Sequence, residues 1–403
     1  MVKEMLKEAN DFVTNGYSIP WGLDEVHRDW QKTVQRFVRE MVEPGATERS
    51  INSHFDADLV SSVGNLGAFG LLVSEEYGGA GADLRSLCIA AEEIATVDSS
   101  LAVTVHVQAI SAALFAHLAA DRTELLKEIL PSAAKGETFI SFGLTEPSGG
   151  SDAGNISTRA VRDGDDWVIS GSKQFITNSG TPFSKYIVLF AATGASDKQR
   201  PPISAFLVPL DAEGVTVGGS YPKLGWKSSD THPIFFENVR VPADALIGTE
   251  GKGYREALAF LTWARLPIAA MSTGVARGCL ADTLRFVKER ESFGKKIGDH
   301  QDIAFRVADI AAHASTGRVL TYDGAYKYDH GLPIEREAAI AKLIASEAAN
   351  SAAYIATQLQ GGYGFIEESA SARHYQDARI LTIGEGTSEV QRMLISRGLG
   401  LGA

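Results

Sequence analysis

The chain has 403 residues, of which 44% are hydrophobic and 22% charged, a composition typical of a globular protein with two or three packed units. Its formal net charge of −12 argues against a nucleic-acid-binding protein, and its two cysteines exclude a disulfide framework. The start "MVKEMLKEAN" lacks the apolar stretch of a signal peptide, and we expect no uncharged apolar run long enough to span a bilayer, so we expect a cytoplasmic protein.

Residues 1–138 are predicted to be helical. In "DEVHRDWQKTVQRFVREMVEP" the apolar residues recur on one face of a helix that should end at Pro44. The largely apolar segments "DLRSLCIAAEEIATVDSS" and "LAVTVHVQAISAALFAHLAA" are typical of buried helices. A short helix follows in "DRTELLKEILPSAAKGE", and Pro131 is expected to stop it. We interpret these 138 residues as an N-terminal helical domain.

Residues 139–245 are predicted to form a small antiparallel β domain. Short β-branched and aromatic runs such as "KYIVLFAAT" and "ISAFLVPL" are separated by Gly, Asp, Pro and Ser at regular spacing. The last run, "PIFFENVRVP", ends at Pro242.

Helical patterning returns in residues 246–403. Three long amphipathic segments follow one another, and Gly361 and Gly362 end the third, as glycines often do at helix C-termini. Its Ala-rich face favours close helix packing, as in a bundle. The order of helices, strands and helices predicts an α+β fold with a sheet inserted between two helical units.

The segment "FGLTEPSGGSDAGN" opens the predicted β domain and carries groups suited to a polar ligand. Gly149 and Gly150 permit close backbone approach, while Thr145 and Ser151 offer hydroxyl groups. A strand that ends in a Gly-rich turn is the alternative interpretation.

In the segment "KQFITN", Phe175 and Thr177 are separated by one residue, so the alternation of a strand predicts that both point to the same side. A ring for stacking beside a hydroxyl group suits a flat ring system. An ordinary packed strand has the same pattern.

The segment "ERESFGKKIGDHQ" ends a predicted helix and combines Arg290, Phe293 and Gln301. These residue types suit a pyrophosphate and an adenine, although a charged helix end with one buried Phe explains them equally well. No Rossmann fingerprint, GxSxG, HExxH or P-loop is present, and the histidines and cysteines form no cluster with metal-ligand spacing. We therefore expect neither a metal site nor a Rossmann-type cofactor site.

Taken in order, segments along nearly the whole chain resemble the acyl-CoA dehydrogenase family of flavoproteins. They are "EEYGGAG", "LTEPSGGSD", "KQFITN", "KLGWKSSDTHPIFFENVRVP", "RESFGKKIGDHQ", "QLQGGYGFIEESASARHYQD" and "EGTSEVQR". Asn155 departs from the family's first signature, in which a small residue is usual at that position. The second signature is complete, including Glu368, Arg373 and Asp377.

The resemblance implies a fold and a cofactor. The expected fold has an N-terminal helical domain, a central β domain and a C-terminal four-helix bundle, assembled into a homodimer or homotetramer that binds FAD without a Rossmann domain. The flavin and its ribityl chain would lie against Phe142, Leu144, Thr145, Gly150, Ser151, Phe175 and Thr177. The ADP half of a neighbouring subunit's FAD would contact Arg290, Phe293, Gln301, Gln358, Gly361 and Gly362, with Thr387 and Glu389 also near the nucleotide.

The resemblance also implies the α,β-dehydrogenation of an acyl thioester, an oxidoreductase activity on CH–CH groups. A base removes the α-proton while the β-hydrogen leaves as hydride to N5 of FAD. Glu385 is the predicted base, since the glycines on either side leave its carboxylate and backbone N–H free to approach the substrate and its thioester oxygen. Some family members place the base at the position of Ala264, which cannot serve here. Arg265 is expected to orient the site, and an electron-transfer flavoprotein to accept the electrons.

The residues expected to contact the substrate are Ser151, Thr262 and Gly384. Gly384 stands where a tyrosine is common and Thr262 where an aspartate is frequent, while Lys227 replaces a frequent arginine. Neutral drift explains these differences as well as an unusual substrate does: branched, aromatic, bulky or bound to an acyl carrier protein. Three other functions remain open on this fold, namely a flavin monooxygenase or oxidase, an enoyl thioester reductase, and a scaffold without activity.

Overall fold

The structure is a computed structural model that describes residues 22–194 and 201–402. A helical unit, a sheet and a second helical unit follow one another along the chain, which confirms the predicted α+β fold. The first ten residues, for which the sequence predicts no signal peptide, lie outside the described part.

Between residue 22 and residue 138 the N-terminal unit contains six α-helices. They are α1 (Glu25–Phe37), α2 (Ala46–Ile51), α3 (Ala57–Leu66), α4 (Leu84–Ala95), α5 (Ser99–Leu118) and α6 (Thr123–Ala134). Four of them begin at aspartates whose side chains accept a backbone N–H of the first turn, because these N–H groups have no partner within a helix: Asp24, Asp56, Asp83 and Asp98.

Two sequence predictions about this unit need correction. Helix α6 continues beyond Pro131 to Ala134, because Ala133 and Ala134 are buried in the core and this packing outweighs the lost backbone hydrogen bond. The prediction that no apolar run has membrane-spanning length was also wrong, since α5 and a later helix, Gly253–Glu289, are long and apolar enough. Most of both is buried inside the protein, as in core helices.

In the central unit, described except for residues 195–200, eight strands form one sheet. Its strands are β1 (Phe139–Gly143), β2 (Arg159–Asp163), β3 (Asp166–Thr177), β4 (Ser184–Ala192), β5 (Ile203–Pro209), β6 (Val215–Val217), β7 (Thr231–Pro242) and β8 (Leu246–Ile247). Their order is β6-β7-β3-β2-β4-β5-β8, with β1 beside β4. Pairing is mainly antiparallel, but β1 and β2 are parallel to β4. Alternate residues such as Trp167 and Ile169 fill the core of the sheet.

The C-terminal unit is a helical bundle. A two-stranded hairpin, Glu291–Ser292 with Lys295–Lys296, separates its first two helices. The helices are α7 (Gly253–Glu289), α8 (Gln301–Asp329), α9 (Glu335–Gln360), α10 (Ala370–Leu381) and α11 (Ser388–Gly398). Helices α7 to α10 form the four-helix bundle that the resemblance implies, and α11 packs on α9.

A buried cluster of charges joins the two helical units. Arg277 of α7 donates through Nη1 to Oε1 of Glu92 at 2.6 Å and to Oε1 of Glu93 at 2.8 Å, both on α4. Tyr322 of α8 donates to Oε2 of Glu92 at 2.7 Å. Burial alone would raise the pKa of Glu92, but the charges of Arg318 and Arg277 hold it below its usual value. Glu92 therefore stays ionised although it lies in the interior.

A second buried carboxylate, Asp377 of α10, should make stability depend on pH. It accepts the backbone N–H of Trp226 at 2.6 Å, and burial raises its pKa from 3.8 to about 7. The folded protein thus retains this proton between about pH 4 and pH 7, where an unfolded chain loses it. The stabilisation is complete below about pH 4 and is lost as the pH rises through about 7.

Asp377→Asn keeps the oxygen that accepts from Trp226 and removes the titration. Between about pH 4 and pH 8 we expect the free energy of unfolding of the wild type to fall relative to the variant by up to about 4 kcal/mol. Urea unfolding of both proteins across this range measures the difference. Neighbouring His374, whose pKa burial lowers to about 3, affects both proteins alike. Parallel stability curves would contradict the prediction.

Candidate active site

The loop between α10 and α11 carries the predicted base. Gly384 N–H donates to Ile380 O at 2.9 Å and Ser388 N–H donates to Thr382 O at 3.0 Å, which closes the loop around Glu385. Glu385 has a φ of 54°, in the left-handed region that non-glycine residues rarely adopt, and such backbone strain is typical of functional sites.

Within the described part of the chain, the carboxylate of Glu385 is hydrogen-bonded through one of its two oxygens. Oε1 lies 3.3 Å from Nε2 of His106, a fully buried side chain on α5. Oε2 is buried and has no hydrogen-bond partner within residues 22–194 and 201–402. A buried carboxylate oxygen without a donor is available to accept a proton from a bound molecule.

Two cations accompany this carboxylate. Burial lowers the pKa of Arg265 on α7, and the negative charge of Glu385 opposes the shift. Burial likewise lowers the pKa of Lys342 on α9 to about 8, again against the charge of Glu385. Nζ of Lys342 donates to Gly386 O at 2.7 Å, and Nε2 of Gln391 donates to the same oxygen at 2.8 Å. The loop backbone is therefore anchored from two helices.

The Gly-rich turn after β1 is fastened to β3. Lys173 donates to Oε1 of Glu146 at 2.7 Å in a buried ion pair, and Gln174 N–H donates to Thr145 O at 2.9 Å. The turn presents Gly150 and Ser151 to solvent, and Thr145 is half-buried. Two small hydroxyl-bearing residues thus border an open surface.

Phe175 lies at a β-bulge in the pairing of β3 with β7. The register shifts between Lys173 and Ile176, and Phe175 adopts a φ of 60°. Its side chain is 59% exposed and its ring lies 5.2 Å from that of Tyr221, while Ile176 is buried and Thr177 half-buried. A bulge re-aims the side chain it carries, and here it turns a large aromatic ring outward.

Phe142 and Leu144 have side chains that belong to the core. The ring of Phe142 packs at 5.5 Å from Phe190 and at 5.8 Å from Phe260, and Leu144 is only 3% exposed. The Leu144 side chain is therefore closed to a ligand, whereas that of Phe142 is half-buried.

A cavity of about 660 Å³ lies at the hairpin between α7 and α8. The structure brings together in its lining five of the residues assigned to the ADP half of FAD: Arg290, Phe293, Gln358, Gly361 and Gly362. The side chain of Phe293 is 94% exposed. Gln301 does not line the cavity and is the first residue of α8. Thr387 lies in the Glu385 loop and Glu389 lies just after it, at the start of α11, so neither lines the cavity.

Of the predicted substrate residues, Thr262 lies one turn before Arg265 on α7, and its Oγ1 donates to Leu258 O at 2.9 Å. A Cβ atom at Gly384 would meet nothing nearer than Ile380 O at 3.7 Å, so the loop leaves room there for a side chain.

Sequence reasoning missed two residues of this site, His106 and Lys342. Lys342 carries a signal in the sequence, since a lysine flanked by alanines on a buried helix face needs a specific partner. His106 carries a weaker signal as a polar residue in an uncharged helix. Its proximity to Glu385 depends on tertiary structure, because 279 positions separate the two.

Matches to models of known protein families cover almost all of the described chain. Models of the N-terminal, middle and C-terminal domains of acyl-CoA dehydrogenases match residues 24–137, 141–239 and 251–400. The chain belongs to the acyl-CoA dehydrogenase family. Members of this family are FAD-dependent oxidoreductases that act on CH–CH groups of acyl-CoA.

Curated acyl-CoA dehydrogenases are similar to this chain over nearly their whole length. Probable acyl-CoA dehydrogenase YngJ of Bacillus subtilis is 37% identical, with 92% of this chain and 96% of the relative covered. The mitochondrial short-chain specific acyl-CoA dehydrogenase of Bos taurus is 36% identical, with 98% of each covered.

Solved structures of acyl-CoA dehydrogenases have the same fold. Butyryl-CoA dehydrogenase of Megasphaera elsdenii has a TM-score of 0.89 at 34% identity, covering 94% of this chain and 99% of that one. A glutaryl-CoA dehydrogenase of Mycobacterium smegmatis in complex with FADH2 has a TM-score of 0.88 at 30% identity, with 96% and 98% covered. A chain in the structure of the electron transferring flavoprotein of Acidaminococcus fermentans has a TM-score of 0.89 at 34% identity, with 94% and 99% covered.

Proposed function

We propose that the protein oxidises the Cα–Cβ bond of an acyl-CoA and that Glu385 is the base that removes the α-proton. The observation that carries the proposal is Oε2 of Glu385, which is buried and has no hydrogen-bond partner in the described part of the chain. The α-proton of a thioester is only weakly acidic, so a base in a shielded, fixed position has the largest effect on its removal.

The other groups of the loop assist this step. The backbone N–H of Glu385 donates to the thioester oxygen, on which negative charge develops as the proton leaves. Arg265 and Lys342 compensate the charge of the carboxylate, since each interacts electrostatically with Glu385. Both are buried, so water screens their charges little.

Two observations support the binding of FAD by the residues assigned to it. The exposed ring of Phe175 on its bulge suits a flat flavin, and the turn after β1, which carries the hydroxyl groups of Thr145 and Ser151, is hydrogen-bonded to the adjacent residue Gln174. The cavity is lined by Arg290, whose guanidinium group suits a pyrophosphate. The cavity lies at the surface, where a second subunit of a homodimer or homotetramer could supply the FAD whose nucleotide half it binds. When bound, FAD supplies the acceptor of the β-hydride. Leu144, whose side chain is buried, would contact it through its backbone, and Phe142, which is half-buried, would lie against it.

We propose an electron-transferring flavoprotein as the acceptor that reoxidises the enzyme. The similarity to a chain in the Acidaminococcus fermentans structure supports this partner. The match to bacterial relatives supports a cytoplasmic location.

Anaerobic reduction by a panel of thioesters tests the function. The purified protein should be yellow, and one or more acyl-CoA or acyl carrier protein thioesters should bleach its flavin absorbance without another reductant. A monooxygenase would need an external reductant, and an enoyl thioester reductase would reduce an enoyl-CoA faster than it oxidises the saturated thioester. A colourless protein would support a scaffold.

We further propose that Gly384 widens the pocket beside the reacting carbons, so that branched or aromatic acyl groups are accepted. Gly384→Tyr should lower kcat/KM about tenfold or more for a bulky acyl-CoA, and less for butyryl-CoA, because a ring there occupies space that only the larger substrate uses. Steady-state kinetics with both substrates measure the ratio. Gly384→Ala is the control, since its Cβ makes only ordinary contacts. Equal losses on both substrates would contradict the proposal.

A further inference from the structure

We propose that His106 is a positioning residue for the base: it holds Oε1 of Glu385, so that Oε2 faces the α-proton of the substrate. This inference rests on the function proposed above, because it concerns the same carboxylate. It assigns a catalytic contribution to the N-terminal helical unit, from which no other residue reaches Glu385 by a described hydrogen bond.

The contact assigns different tasks to the two oxygens of Glu385. Because an ionised carboxylate only accepts hydrogen bonds, the proton of the imidazole lies on Nε2, 3.3 Å from Oε1. Nδ1 of His106 is buried and has no partner within residues 22–194 and 201–402. The ring therefore makes its one hydrogen bond within the described chain to the base. Oε2, without a donor, is the oxygen left to accept the proton.

The other contacts of the loop cannot replace this one. Lys342 and Gln391 donate to the carbonyl oxygen of Gly386, and Gln391 also lies 3.3 Å from that of Glu385. These bonds fix the backbone and do not reach the carboxylate of Glu385. His106 supplies the hydrogen bond that orients the carboxylate.

Helix α5 is itself rigidly supported, as a positioning element must be. Asn178, directly after β3, donates to Thr104 O at 3.0 Å. Gln108 donates to Thr138 O at 3.0 Å and accepts the N–H of Ile140 at 2.9 Å. Because these bonds flank His106 along the helix, the imidazole is fixed relative to the strands that carry the proposed flavin residues.

Three variants of the holoenzyme test the inference. The amide nitrogen of Gln reaches about as far as Nε2 of His, that of Asn only as far as Nδ1, and Leu has no donor. The substrate is saturating butyryl-CoA, or else the thioester that reduces the wild type fastest. It should reduce the flavin of His106→Leu and His106→Asn about 10- to 100-fold more slowly than that of the wild type. His106→Gln should stay within about threefold of the wild type.

Further readouts separate positioning from a structural role. In His106→Leu the FAD content and the half-saturating substrate concentration should be unchanged, and the kinetic isotope effect with α-deuterated substrate should rise. A wild-type rate in His106→Leu, or a His106→Gln variant as slow as His106→Leu, would overturn the inference. A loss confined to FAD content or substrate affinity would overturn it too. If no thioester reduces the wild-type flavin, the proposed function itself fails, which is a different result.

Discussion

Glu385→Gln should bind FAD as the wild type does and lose about two to four orders of magnitude in the rate at which an acyl-CoA reduces it. The amide has the shape of the carboxylate and allows the same backbone, including the left-handed φ of 54°. It cannot take up the α-proton, and a positioned general base contributes about 10²–10⁴ to a rate. Anaerobic stopped-flow measurement of the flavin absorbance gives the rate, and the spectrum of the purified variant gives the FAD content.

The matched control is Glu335→Gln, the same change at an exposed carboxylate at the start of α9. It should reduce the flavin at the wild-type rate. Turnover in Glu385→Gln within about tenfold of the wild type would mean that another group removes the proton.

Arg277→Met should lower the free energy of unfolding by about 3–5 kcal/mol, because it removes one partner from a buried ion pair and leaves carboxylate charge uncompensated. Glu92 retains Arg318 and Tyr322 after the change. Glu93 retains the amide of Gln31, at 2.6 Å. Chemical unfolding followed by circular dichroism and tryptophan fluorescence measures the loss.

Arg240→Met is the control for Arg277→Met. Arg240 also bridges two carboxylates, Asp163 and Asp166, but on the exposed surface of the β domain. Water replaces such contacts at little loss, so this variant should have nearly wild-type stability. Equal destabilisation of the two variants would show that burial of the cluster has no special effect.

The order of the three units was predictable because it depends on local pattern. Helical periodicity changes to short β-branched runs near Phe139 and back after Pro242, and periodicity follows from which face of each element is buried. The predicted end of α6 was wrong, because Pro131 is visible in the local sequence, whereas the burial of Ala134 depends on the tertiary structure.

The site was predictable only as separate segments. The bulge at Phe175 depends on how β3 pairs with β7, and no property of "KQFITN" alone encodes it. The approach of His106 to Glu385 has no local signal at all. The resemblance directed attention to Glu385, but the different surroundings of its two oxygens follow from tertiary structure.

Helix α5 also has a consequence for synthesis of the chain. Its contact with Glu385 spans 279 residues, so at about 5–20 residues per second the ribosome makes His106 roughly 15–55 s before Glu385. In the folded protein this uncharged helix contacts α4, α6 and β1, which are close to it in sequence and are available to cover it during that interval. The N-terminal unit can therefore shield its most apolar helix early, while the imidazole meets its partner only when the chain is nearly complete. The hydrogen bond between His106 and Glu385 can therefore form only after most of the chain has been synthesised.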